Sequence, residues 1–452
     1  MKSLLRSVAG VRGIWKEDWS LEDVIQYAAA FGMYLNSGRV VVGRDTRVTG
    51  EMISHAAVAA LVSTGCSVTD IGVVPTPTCQ LMVETSEASG GIVITASHNP
   101  VQWNGLKFLD ENGHFFNQPA FNRLIEIIDR KQDATVSYEK LKPVDSEANQ
   151  EAIQRHIDAI CSHIDVEQIR KKQFKVALDA VNGAGSRMII PFLQNLNCEV
   201  IPLYCDESGI FPREPEPMAE HIGGLCNLVV GKKADVGFAV DPDADRLSVV
   251  TEKGEALGEE MTLPLVARHL LPEKKGVVVT NLSTSMTIDY VAGLFKTRVI
   301  RSRIGEAHVV SAMKENDCHV GGEGNGGIIV PEIHYARDTG AGIGYLLEWM
   351  SQHQDSLSDL VADIPRYVLI KKKMDCPIER IPAILDQLKN EFSDADIDDT
   401  DGVKLLWKEA WLHIRKSGTE GLLRIFAEAK TADEANRLIK KCMELIRSVI
   451  SS

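Results

Sequence analysis

The stretch Val236-Gly-Phe-Ala-Val-Asp-Pro-Asp-Ala-Asp-Arg-Leu-Ser-Val-Val250 sets two short, β-branched apolar runs on either side of a loop that carries three aspartates. It reads as strand, loop, strand, with the polar residues gathered where the chain leaves a sheet. The same build recurs along the chain. Apolar runs at 40–43, 91–95, 174–178, 199–202, 276–280 and 297–300 read as buried strands, and most end in a polar loop with Gly or Asp: GRDTR, TASHNP, DAVNGAG, TNLSTS. Longer helix-compatible segments lie between them, and that alternation specifies α/β architecture. The construction repeats without a fixed sequence period, which favours successive α/β domains; one large α/β domain is the competing reading.

Length supports the division, since 452 residues at about 150 per domain give roughly three units. Seams are expected in the charged, turn-rich stretches 136–154, 251–260 and 365–373, which separate four parts taken as residues 1–150, 151–252, 253–367 and 368–452. The last part differs. Runs at 410–415 and 422–427 read as two strands around a polar loop, followed by a capping box at Thr431-Ala-Asp-Glu434 and an amphipathic helix to about Ser448.

A chain with 44% hydrophobic and 25% charged residues is an ordinary globular protein, so disorder, collagen and coiled coil are disfavoured. The formal net charge of −14 repels nucleic acid and anionic lipid, so neither is an expected partner, and a phosphate-bearing ligand must meet a local basic cluster. Nine cysteines without a C-x-x-C pair argue against a disulfide framework or zinc knuckle. The opening MKSLLRSVAGVRGI has no long apolar region, so a cytoplasmic protein outside the membrane is expected.

Four constellations can carry chemistry. Thr95-Ala-Ser-His-Asn-Pro100 follows a strand and displays Ser97, although a plain Ser/Asn/Pro turn accounts for the same residues. A serine-hydrolase reading fails, because Ser97 and His98 are neighbours and no G-x-S-x-G elbow exists. In an extended segment Asp241, Asp243 and Asp245 share one face, a set of hard oxygen ligands that favours Mg²⁺ over a solvated acidic turn. An EF-hand is excluded: Arg246 stands at its required glycine, and the flanks are strands. Gly321-Gly-Glu-Gly-Asn-Gly-Gly327 holds up Glu323 and Asn325 but lacks the P-loop lysine; a flexible turn reads equally well. Arg415-Lys-Ser-Gly-Thr-Glu420 combines a guanidinium, hydroxyls and backbone N–H groups into an anion site, with a surface turn as the alternative. Arg12 and the GRDTR arginines add basic groups that serve equally as structural ion pairs, and Lys107 can reach the Ser97 pocket.

The order T-A-S-H-N-P, D-P-D-A-D-R, G-E-G-N-G-G, R-x-S-G-T-E closely resembles the α-D-phosphohexomutase superfamily, over nearly the whole chain. That resemblance implies three α/β domains with mixed sheets between helices plus a smaller C-terminal α+β, TATA-binding-protein-like domain, all lining one central cleft. It implies a phosphohexomutase that interconverts hexose 1- and 6-phosphates through a phosphoserine and a hexose 1,6-bisphosphate. By motif, Ser97 is the phosphorylated nucleophile and, with Asp241, Asp243 and Asp245, binds one Mg²⁺. Arg12, His98, Lys107 and Arg246 surround the reacting phosphoryl group. Glu323 and Asn325 recognise the sugar, and Arg415, Ser417, Gly418 and Thr419 clamp the distal phosphate. The chain departs from the family at Lys416 and Gly421, where many members have proline, and in its opening S-V-A-G-V-R-G. Gly327 stands where several bacterial members carry histidine, a form similar to archaeal-type mutases, while GRDTR-V-T-G resembles phosphoglucosamine mutases. A phosphatase using the same serine and metal, and a non-catalytic sugar-phosphate sensor, are the rival classes. A homodimer is left open.

Overall fold

In the computed structural model, which describes residues 4–8, 10–130, 135–416 and 422–451, four sheets follow one another along the chain. The first contains β1 (Leu5–Ser7), β2 (Gly10–Ile14), β3 (Arg39–Arg44), β4 (Ser67–Val73), β5 (Gly90–Ile94), β6 (Trp103–Leu109) and β7 (Val144–Asp145) in the order β1-β2-β6-β5-β3-β4-β7. Its centre, β5-β3-β4, is parallel and β6 runs antiparallel to β5. The second, β8 (Lys175–Asp179), β9 (Glu199–Leu203), β10 (Val236–Val240) and β11 (Leu247–Thr251), is ordered β11-β10-β8-β9 with only β11 antiparallel. The third, β12 (Val277–Asn281), β13 (Val299–Ser302), β14 (Cys318–Glu323) and β15 (Gly327–Ile329), repeats that plan with β15 antiparallel. Parallel strands need crossovers, and the helices that supply them cover the apolar runs on both faces.

The fourth sheet is built differently: β16 (Val368–Asp375), β17 (Asp396–Asp398), β18 (Val403–Trp407), β19 (Ala410–Lys416) and β20 (Leu422–Ala429) are all antiparallel, ordered β16-β20-β19-β18-β17. Its core of Ile384, Leu412, Ile425 and Ile446 closes under the helices Ile381–Glu391 and Ala432–Ser451. By contrast one apolar cluster runs through the other three units, from Val41 and Ile71 through Phe192 and Phe238 to Leu346 and Trp349. No helix among the described residues is long and apolar enough to cross a membrane.

Most of the buried parallel strands fall within a residue or two of the runs read from the sequence; β4 and β14 match none of them, because S-V-T-D-I-G-V and C-H-V-G-G-E lack a continuous apolar run, and Gly321–Glu323, read as glycine-rich loop, close β14. Two charged stretches read there as seams carry strands. Within 136–154 lie β7, paired with β4, and the start of the helix Asn149–Cys161; the lysine-rich 365–373 contains most of β16, an edge strand on which Lys372 and Lys373 are exposed and Lys371 pairs with Glu259 at 3.1 Å.

Candidate active site

Ser97 stands just past β5 with φ +50, a left-handed conformation that a side-chain-bearing residue holds only when its surroundings impose it. Arg47 imposes it. Its guanidinium, fully buried, donates to the carbonyls of Ser97 at 2.6 Å, Asn99 at 2.7 Å, Pro100 at 2.6 Å and Trp103 at 2.9 Å. Asp45 balances that charge at 3.0 Å and accepts from Thr95 Oγ1 at 2.7 Å, while Thr95 Oγ1 accepts the Ser97 N–H at 2.9 Å. The GRDTR arginine thus moulds the serine loop from beneath, the structural alternative named for it above. Arg12 reaches the same loop by donating to Asn99 Oδ1 at 3.1 Å.

The acidic loop between β10 and β11 meets Ser97 directly: Ser97 Oγ donates to Asp241 Oδ2 at 3.2 Å and lies 3.3 Å from His98 Nδ1. All three aspartates are fully buried, and they offer ligand oxygens within 4.8 Å of one another. The route to that convergence corrects the sequence argument. An extended run would leave the first and fifth side chains about 13 Å apart. Instead the loop curls into a tight turn with Ala244 at φ +52, and Asp241 Oδ1 accepts the N–H groups of Asp245 and Arg246 at 3.0 and 3.2 Å. Asp243 Oδ2 accepts from Thr76 Oγ1 at 2.6 Å and from Lys107 Nζ at 2.8 Å.

Electrostatics follow from that packing. Burial and the two neighbouring aspartates push the Asp241 carboxyl well above the usual range. Burial pushes Asp243 the same way, but Lys107 and the Thr76 hydroxyl overcome it and hold Asp243 ionised. Burial, then Arg246 and Arg12, keep His98 neutral. Two buried oxygens, Asp243 Oδ1 and Asp245 Oδ1, have no hydrogen-bond partner among the described residues. Orphaned carboxylate oxygens facing a cluster of like charge fit a hard divalent cation, with Mg²⁺ preferred because a phosphate oxygen and water complete its octahedron. A second group, His156, His334 and Asp338, also brings three ligand atoms together, but Asp338 Oδ2 already accepts from both imidazoles at 2.8 and 3.1 Å.

Lys107 arrives from β6, which pairs it opposite Val93 and so puts it beside the serine loop. Arg246 pairs with Glu216, a partner with no sequence signature. Glu323, at the end of β14, accepts from Asn281 Nδ2 at 2.8 Å, the Gly305 N–H at 3.1 Å, Arg337 Nη1 at 3.0 Å and Asn325 Nδ2 at 3.3 Å. Burial opposes its charge, yet Arg337 and Asn281 hold its carboxyl below the usual range. The fourth motif connects through Asp401, whose Oδ1 pairs with Arg415 Nε at 3.4 Å and whose Oδ2 accepts the Ile304 N–H at 3.1 Å, one residue before the Gly305 that binds Glu323. Ser417, Gly418 and Thr419 lie outside the described residues.

Sequence reading missed Arg47 as the loop's former, Thr76, Glu216, Glu306 and Arg337. Thr76 opens a helix after Pro75 and Arg337 sits in an unremarkable H-Y-A-R-D-T-G; their partners lie 167 and 92 residues away, and only the fold brings them near.

Models of the phosphoglucomutase/phosphomannomutase family match in series: α/β/α domain I at residues 4–135, domain II at 154–254, domain III at 259–367 and the C-terminal domain at 368–445. The chain belongs to this family. It is 36% identical to the phosphoglucomutase/phosphomannomutase of Thermococcus kodakarensis over 450 residues, 98% of each chain. It is 35% identical to a protein of Methanopyrus kandleri named "Probable phosphoglucosamine mutase", over 98% of this chain and 97% of that one. The crystal structure of a phosphoglucomutase/phosphomannomutase family protein from Burkholderia thailandensis shares the fold with a TM-score of 0.84 at 21% identity, covering 98% of both chains. Membership settles the fold class read from the sequence: three α/β units with mixed sheets followed by a smaller α+β one.

Proposed function

We propose that this family member interconverts hexose 1-phosphate and hexose 6-phosphate through phosphorylated Ser97 and a hexose 1,6-bisphosphate. The observation that carries the reading is Ser97 Oγ, 3.2 Å from Asp241, beside two buried aspartate oxygens that accept no hydrogen bond among the described residues. Asp241, Asp243 and Asp245, with an oxygen on Ser97, would hold Mg²⁺, which supplies charge neutralisation for the transferring oxygens.

In the forward half-reaction the bond between phosphorus and Ser97 Oγ breaks as a bond to the free hexose hydroxyl forms. The hydroxyl loses its proton to a base, and Ser97 Oγ regains one; His98 Nδ1, at 3.3 Å, is the ring nitrogen placed to exchange it. Lys107, Arg246 and Arg12 face the developing charge, and Arg415 with Ser417, Gly418 and Thr419 grips the phosphate that is not reacting. The bisphosphate then reverses end for end and returns its other phosphate to Ser97. Glu323 accepts from ring hydroxyls in both orientations. Its four acceptor directions are already taken, so the sugar must displace a donor, and the 3.3 Å bond from Asn325 is the weakest. Each domain, taken as 1–150, 151–252, 253–367 and 368–452, contributes one of the four loops.

Relatives at nearly equal identity carry phosphoglucosamine mutase and phosphoglucomutase/phosphomannomutase names, so glucosamine, glucose and mannose phosphates are the substrates to compare. Each 1-phosphate is supplied with Mg²⁺ and a trace of the matching bisphosphate, and the products are resolved. Accumulation of 6-phosphate is expected. Release of inorganic phosphate instead would make the protein a phosphatase, and no conversion of any substrate would leave a sensor.

A further inference from the structure

One guanidinium joins three carboxylates that come from separate segments of the chain. Arg337, 7% exposed, pairs through Nη2 with Asp245 Oδ2 at 2.5 Å, through Nε with Glu306 Oε2 at 2.7 Å and through Nη1 with Glu323 Oε2 at 3.0 Å. Asp245 belongs to the acidic loop and Glu323 to the glycine-rich loop, so a single planar group spans the metal-binding and sugar-binding carboxylates.

The space for it comes from Gly327. A Cβ at that position would stand 2.9 Å from Arg337 Cγ and closer still to Cδ, which real side chains do not tolerate. The residue that departs from the bacterial pattern is therefore the one that opens the path for Arg337. The backbone is fixed immediately after Arg337. Asp338 N–H donates to the Ile328 carbonyl at 2.8 Å, and the Asp338 carboxylate caps the helix Thr339–Ser351 through the Gly340 N–H at 2.8 Å. The same carboxylate is held by His156 and His334, and Thr339 Oγ1 donates to the Ala244 carbonyl of the acidic loop at 2.9 Å. Glu306 is steadied in turn by Gln80 Nε2 at 3.2 Å.

We infer that Arg337 is a positioning residue that sets the metal-loop carboxylate Asp245 and the sugar-loop carboxylate Glu323 in register, through the gap left by Gly327. The inference rests on the mutase reading for the identity of the two loops. A fork with fixed donor directions can hold three carboxylates at once, whereas an ammonium of the same charge cannot reproduce that geometry. Groups that orient a metal's carboxylate from behind typically alter metal affinity or activity about 10–100-fold when changed.

The test uses Arg337→Lys, which keeps the charge and removes the fork, and Gly327→Ala, which leaves Arg337 in place but takes its space. Mn²⁺ affinity is measured by titration on the full chain, kcat/KM on glucose 1-phosphate with Mg²⁺, and melting temperature on each variant. Arg337→Lys is expected to weaken Mn²⁺ binding and lower kcat/KM, each by at least about tenfold. Gly327→Ala should reproduce both losses and add less than about twofold when combined with Arg337→Met, since the two changes strike one contact. Mn²⁺ affinity and kcat/KM within about twofold of the parent in a folded Arg337→Lys, or a Gly327→Ala loss that adds fully to that of Arg337→Met, would overturn the inference. If Arg337→Lys does not fold, Gly327→Ala decides alone by the same two readouts. A parent without mutase turnover would sink the functional reading, while the Mn²⁺ titration would still judge this one.

Discussion

Ser97 is held in a left-handed conformation because a buried arginine organises its loop through four carbonyls, which makes the geometry of the proposed nucleophile a property of Arg47 and Asp45 as much as of the serine. Removing the guanidinium leaves Asp45, itself fully buried, as an uncompensated charge. Arg47→Met should therefore cost about 3–5 kcal/mol of unfolding free energy in a denaturant titration, far more than loss of an exposed arginine. A cost below about 1 kcal/mol would show that the loop is held otherwise. At this scale the sequence exposed the residues proposed to bear chemistry, Ser97 and the three aspartates, because loops after strands advertise themselves. It concealed Arg47, Thr76 and Arg337, whose roles depend on partners brought in from other elements. Arg47 was visible only as a basic group with two readings, and burial chose between them.

Most buried parallel strands are legible as elements, since they are continuous β-branched runs that end in a polar loop; β4 and β14, interrupted by polar residues and glycines, are not. Strands whose exposed faces are polar, such as β16 with its three lysines, looked like linkers, and the two-residue β7 is too short to leave a pattern. The acidic loop shows the limit of reading geometry from alternation: it was predicted extended and is a turn. Ala244, at φ +52, is the residue that makes it turn. Ala244→Gly should leave stability unchanged or slightly raised, while Ala244→Val should cost about 1–2 kcal/mol, because a branched side chain resists the left-handed region. Thermal or urea unfolding of the two variants checks this, and equal stabilities would contradict the turn.

Three sheets share one apolar core and the fourth has its own, so the C-terminal unit is joined to the rest by polar contacts. Lys404, fully buried, donates to the Leu282 carbonyl; Glu428 accepts the Met286 N–H at 2.8 Å; and Ser283 Oγ meets His413 Nδ1 at 2.9 Å. His413 Nε2 lies 2.7 Å from the Asp401 carbonyl, so Nε2 carries the proton and Nδ1 accepts from Ser283. Burial pushes the His413 pKa down to about 4 from 6.5. Its contribution to stability is present above the unfolded value and is lost as pH falls from about 6.5 towards 4, where the unfolded chain takes up a proton that the folded chain refuses. The stability difference between the parent and His413→Gln should narrow over that window and hold constant from pH 7 to 8; a difference flat from pH 4 to 8 would contradict the assignment. At this scale the four-part division and its order of motifs could be read from loop chemistry alone. The chain of contacts from Ser97 through Asp241, Asp245, Arg337 and Glu323 to Asp401 and Arg415 could not, because every link in it except Asp241–Asp245 joins residues from different units or separate segments of one unit.

The role proposed for that chain of contacts is to serve a phosphoryl group on Ser97. Incubating the full-length protein and Ser97→Ala with Mg²⁺ and ³²P-labelled glucose 1,6-bisphosphate, then mapping the label by peptide mass spectrometry, tests it most directly. Label is expected on Ser97 of the parent, with its discharge as bisphosphate when unlabelled glucose 1-phosphate is added, and none on the variant. Label on any other residue, or equal labelling of Ser97→Ala, would contradict it.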